Sequence, residues 1–139
     1  MVFLDRWVVH LAAAHTIVVV IHSAAHVTLG ILPSTPIDIA IIGGVIFAGP
    51  IVAAVLVMSR LALRIGRSLF FVSMLGSLIY GALSHFALPG PDNVALLTPE
   101  GMGLVFIATT AVLAIIEGIG VILGALLLRT RPGTPATGA

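Results

Sequence analysis

Four long apolar stretches, separated by short runs of Gly, Pro and charged residues, set the pattern of this chain. They run from about Trp7 to Leu29, Pro36 to Ser59, Ser68 to Leu88 and Pro99 to Leu128. A helix needs roughly 20 apolar residues to cross a bilayer, and each stretch meets that length. The pattern predicts an all-α protein, an integral membrane four-helix bundle running up-down-up-down. One domain over residues 1–129 is expected, with a disordered tail over 130–139.

Helix punctuation falls at the ends of the stretches. Thr35-Pro36 and Thr98-Pro99 each place a capping hydroxyl before a proline at the first helical position. Asp38 and Glu100 follow in the first turn, where the helix dipole favours a negative charge. Leu32-Pro33 closes the first helix, and Leu88-Pro89-Gly90-Pro91 closes the third. Pro50 lies inside the second helix and predicts a kink there. The run from Trp7 to Leu29 is longer than a signal peptide's apolar region and carries histidines, so it reads as a retained span.

Composition makes lipid the solvent. Hydrophobic residues form 60% of the 139 and charged residues only 8%, against about 25% charged in a water-soluble domain. With no cysteine, disulfides, thiolate metal sites, iron–sulfur clusters and Cys nucleophiles are excluded. The six basic residues are all arginine: Arg6, Arg60, Arg64, Arg67, Arg129 and Arg131. In an alternating arrangement they share one side, while Asp38, Asp92 and Glu100 fall on the other. Arginine retention on the cytoplasmic side then predicts a multi-pass protein of the cell membrane with both termini cytoplasmic. A net charge of +1 gives no reason to expect a nucleic-acid partner.

Small residues mark where lipid-embedded helices approach one another. Gly120-x-x-x-Gly124, with Gly118 beside it, predicts a contact face on helix 4. Ala40-x-x-x-Gly44 and Gly43-Gly44 predict one on helix 2, and Ser73, Ser77, Gly81 and His85 form a stripe on helix 3 that should face protein.

Ionisable residues inside a span are costly and point to function. His15, His22 and His26 fall within roughly 40° of one another at 100° per residue, while His10 lies off the stripe near the interface. Depth along the helices puts His22, His26 and His85 near the outer boundary, with Asp92 in the following loop and Tyr80 level with His22. Glu117 comes out level with His15. The i, i+4 pair His22/His26 can share one ion, and His85 would supply a third nitrogen while leaving a position open. An added Asp92 carboxylate would suit copper, iron or zinc. The same imidazoles could ligate a haem b between helices 1 and 3, with Gly81 leaving room for the macrocycle. His15, Glu117 and Tyr80 could relay protons. The bland alternative is hydrogen-bond glue between helices, worth typically about 0.6 kcal/mol per contact.

Three functional classes follow: a membrane redox or metal protein, a transporter or proton conductor working as a dimer, or an accessory subunit of a larger membrane complex. A phosphate loop and a nucleophile elbow are absent from the sequence.

Ser73-Met74-Leu75-Gly76-Ser77, Ser84-His85-Phe86 and Pro91-Asp92, with His22-x-x-x-His26, resemble a group of small prokaryotic four-span membrane proteins with intramembrane histidines. The resemblance spans most of the chain. It implies a histidine-bearing four-helix bundle and brings no activity with it.

Overall fold

A computed structural model describes residues 3–33 and 35–130. Arg131 and the rest of the expected tail lie outside the described residues, except Thr130. All regular structure among them is helical. Helix α1 spans Phe3–Thr28, α2 Pro36–Ser59, α3 Leu63–Ala87 and α4 Gly101–Arg129, and each is long and apolar enough to cross a membrane. A short 3₁₀ turn, Val94–Leu96, lies in the loop between α3 and α4.

The burial pattern is inverted relative to that of a water-soluble domain and is compatible with a multi-pass membrane protein. Asp5, His15, His22, Arg67, Ser73, Ser77, His85, Thr110 and Glu117 are buried, whereas Ile17, Val55, Ile65, Ile115 and Ile122 are exposed on the outer surface. Water would penalise both halves of that arrangement, whereas hydrocarbon around such a bundle would favour both.

Two helices begin earlier than their apolar runs. Helix α1 starts at Phe3 rather than Trp7, and α3 at Leu63 rather than Ser68, so Asp5 and Arg67 are helical residues. They can be buried there because they neutralise each other. Arg67 Nε donates to Asp5 Oδ1 at 2.9 Å and its Nη2 to Oδ2 at 3.1 Å. Its Nη1 lies 3.4 Å from the carbonyls of Leu127 and Thr130, so the same guanidinium closes the C-terminus of α4. Three helices are thereby tied at one end of the bundle, the arginine end.

Helix α4 starts at Gly101, not Pro99, and Thr98 does not cap it. Glu100 occupies the capping position without a side-chain bond. The Glu100 N–H bonds back to the Thr98 carbonyl at 2.8 Å, and that carbonyl packs against Gly103 where any Cβ would collide. The expected cap at α2 does form: Thr35 and Asp38 make a reciprocal capping box.

At Pro50, α2 changes its winding. Ile41–Ala48 is π-helical, and the Gly49 N–H donates to the Gly44 carbonyl five residues back. A proline cannot donate to the carbonyl four residues before it and crowds that group, and the wider turn relieves both. The π-helical half of α2 buries no residue, whereas Gly49–Ser59 buries Gly49, Pro50, Ala53, Ala54 and Val57. The expected contact face at Gly43-Gly44 is therefore corrected: neither glycine, nor Gly118 of α4, has a neighbour within 4 Å of a built Cβ. The close approach lies at Gly49, against Ser73. Gly120 and Gly124 do pack as expected, with built Cβ atoms 2.7 Å from Met74 and 2.9 Å from Phe71.

The core divides by depth. Towards the arginine end Val8, Ala12, Val57, Phe70, Met74 and Leu127 form a dry apolar cluster. At the opposite end Ala25, Ile31 and Phe106 form a smaller one, and Phe106 packs against the histidine rings.

Candidate metal centre

Each histidine of the outer cluster is placed by a local turn. Helix α1 ends in a Schellman motif: Gly30 takes φ +71°, the Gly30 N–H bonds the Val27 carbonyl at 3.1 Å, and the Ile31 N–H bonds the His26 carbonyl at 2.9 Å. That turn folds the chain back so that the Ile31 carbonyl lies 3.1 Å from His26 Nδ1. Helix α3 ends in a π turn, Leu83–Ala87, that contains His85. The loop beyond it returns, and the Asp92 carbonyl lies 3.1 Å from His85 Nδ1. Asn93 Nδ2 holds this loop by donating to the Leu88 carbonyl at 3.0 Å. His22 Nδ1 lies 2.8 Å from Thr109 Oγ1 of α4.

The three rings converge. Their centroids are 4.7 Å apart for His22–His26, 5.1 Å for His22–His85 and 5.8 Å for His26–His85. One ring nitrogen from each lies within 4.8 Å of the others. Phe106, fully buried, meets all three rings at 4.6, 4.7 and 5.2 Å and forms an apolar floor.

Hydrogen bonding decides which nitrogens are free. A carbonyl only accepts, so His26 and His85 must each donate an Nδ1–H, to Ile31 and Asp92 respectively, and a neutral ring then carries its lone pair on Nε2. His22 Nε2 and His26 Nε2 are 3.1 Å apart, close to the roughly 3.3 Å edge of a tetrahedral zinc site with Zn–N near 2.05 Å. The Thr109 hydroxyl can donate to the Val105 or Phe106 carbonyl, at 2.7 and 3.0 Å, while accepting from His22 Nδ1–H. All three Nε2 atoms are then lone-pair donors, each ring oriented by an oxygen on its far side, as metal-ligating histidines commonly are. In the hydrogen-bond alternative, a proton on His22 Nε2 bridges to His26 and Thr109 donates to His22 Nδ1.

The remaining candidates fall as follows. Asp92 joins the centre through its backbone carbonyl, and its carboxylate is not part of the ligand group. Tyr80 donates to Asp38 at 3.0 Å rather than meeting His15 or Glu117. His15 Nε2 and Glu117 Oε1 do meet, at 3.1 Å and fully buried. His10 is exposed beside Trp7. The roles of Phe106, Thr109 and the Ile31 carbonyl are not evident from the sequence, because a phenylalanine floor and a hydroxyl partner on α4 look like ordinary span residues. Gly30 is the one signal pointing to the Ile31 turn.

A cavity of about 600 Å³ adjoins the triad. It is lined by His22, His26 and His85 near the loops and reaches Ser77 and Glu117 deeper in the bundle. Asp38, Asp92 and Glu117 contribute to its wall and none of the described arginines does, so its electrostatics favour a cation. Comparison with protein-family models, with curated proteins and with solved structures finds no match to this chain.

Proposed function

We propose that this is a metal-binding multi-pass membrane protein whose His22, His26 and His85 hold one transition-metal ion at the outward-facing end of a bundle with both termini cytoplasmic. The observation that carries the reading is the convergence of the imidazoles: one ring nitrogen from each lies within 4.8 Å of the others, and each Nδ1 is tied to an oxygen, which leaves Nε2 for an ion. Three imidazoles with no thiolate suit zinc, copper or iron, and leave a coordination position for water or a substrate. A redox role requires copper or iron; zinc would act as a Lewis acid or as cargo.

A bound ion fits the packing better than a haem. His22 and His26 are adjacent on one helix face, so they cannot stand on opposite faces of a macrocycle. Their rings, with His85 and Phe106, also pack at 4.6–5.8 Å and leave no slot between them. Elemental analysis and absorption spectroscopy of protein purified without chelators test the reading. The expected result is one zinc, copper or iron per chain and no Soret band, with the metal lost in His85→Ala. Metal-free wild-type protein that also fails to take up added Zn²⁺ or Cu²⁺ overturns it.

A second reading, a small oligomeric transporter or proton conductor, is favoured by the cavity that links the triad to Glu117.

A further inference from the structure

Four threonine hydroxyls of these helices, one of them buried, are satisfied within their own helix. Thr16, Thr28, Thr109 and Thr110 each donate to a carbonyl one turn earlier, at 2.7–2.9 Å. Ser77 does not. Its Oγ is buried and has no hydrogen-bond partner among the described residues, although the same backward bond is open to a helical serine by rotation about χ1. A buried hydroxyl left unpaired costs about 1–3 kcal/mol, a deficit that a water in the adjoining cavity would remove. Ser77 lines the cavity, as does Glu117, whose Oε1 is held by His15.

The cavity is also one-sided. Exposed residues of the loops at the triad end, Pro33 and Pro89 among them, contribute to its wall. Below Ser77 and Glu117 the interior becomes the dry cluster of Val8, Ala12, Val57, Phe70, Met74 and Leu127, and beyond that lies the Asp5–Arg67 pair. Between mouth and floor the wall offers His22, Asp38, Tyr80, Ser77 and Glu117, enough polar partners for ordered water, which needs two to four hydrogen bonds per molecule.

We propose that the triad-end half of the bundle is an aqueous half-channel, open past His22, His26 and His85 and closed at mid-depth, which gives Ser77 and the Glu117–His15 pair access to water and protons from that end alone. His15 from α1 faces Glu117; Ser77, Asp38 and Tyr80 line the same cavity. Protons exchanged at Glu117 therefore pass the triad and do not cross the apolar cluster. The half-channel stands whether or not the triad holds a metal.

The chain has no cysteine, so a single introduced thiol reports its own surroundings. Ser77→Cys, Leu113→Cys (on the cavity wall) and Ala12→Cys (in the dry cluster) are each reconstituted in liposomes. A permanently charged methanethiosulfonate reagent is then applied from one side at a time, with a C-terminal tag marking the arginine end. Ser77→Cys and Leu113→Cys should react at least ten-fold faster from the side opposite the tag, and Ala12→Cys from neither side. Equal labelling from both sides overturns the proposal. So does a lack of labelling at both cavity positions in protein that reacts fully once unfolded. If Ser77→Cys fails to fold, Leu113→Cys alone decides.

Discussion

Thr109 can face His22 in two ways, and which one it adopts depends on whether a proton or a metal ion lies between His22 and His26. With an ion bound, its hydroxyl accepts from His22 Nδ1–H and donates to its own helix. Thr109→Val removes that acceptor and should weaken metal binding roughly ten-fold or more, the usual range for an orienting partner, while Thr109→Ser retains it; titration with Zn²⁺ monitored by calorimetry reads both. Protons compete for the same Nε2 lone pairs, so affinity should fall as the pH is lowered and recover as it is raised, and equilibrium dialysis across a pH series would follow this. The histidines themselves were legible in the sequence, since one helical stripe and one matched depth bring three of them together. Their oxygen partners were not. Two are backbone carbonyls whose positions depend on the Gly30 turn and on the π turn around His85, and side-chain spacing carries no information about either.

At the scale of the helix, charge at a span's end is as informative as hydropathy. Asp5 and Arg67 look like interfacial residues outside their spans, and for that reason α1 and α3 read as starting later than they do. Their pairing across two helices is a tertiary fact that no single apolar run displays. Arg67→Leu leaves Asp5 buried and uncompensated and should cost about 3–5 kcal/mol. The double variant Asp5→Asn/Arg67→Leu should recover part of that loss, read as thermal unfolding in detergent. Glycines show a similar limit. Gly120 and Gly124 announce a contact and make one, whereas Gly43 and Gly44 lie on the peripheral π-helical half of α2. The difference arises from Pro50, whose effect on winding is predictable in kind but not in its consequence for which half of the helix is buried.

Across the whole molecule the polar and apolar interiors are segregated by depth: a cavity with acids and histidines at one end, a dry cluster at the other. The boundary lies at His15–Glu117. His15 Nδ1 has no hydrogen-bond partner among the described residues, so Glu117→Ala removes the ring's one protein partner and should destabilise the bundle by about 1–3 kcal/mol. Glu117→Gln, which keeps an acceptor for His15, should be milder in the same unfolding measurement. The number of spans and the matching depth of this pair follow from hydropathy and helical rise. The cavity does not, because it exists only where α2 stands away from its neighbours.

The central claim is that three Nε2 atoms meet on one ion. X-ray absorption spectroscopy at the metal edge, on protein purified without chelators and loaded with a single equivalent of Zn²⁺, tests it most directly. Three imidazole nitrogens at about 2.0–2.1 Å, lost together in the variant His22→Ala/His26→Ala/His85→Ala, are the predicted result. A shell of oxygen ligands only, or an unchanged spectrum in that variant, would contradict it.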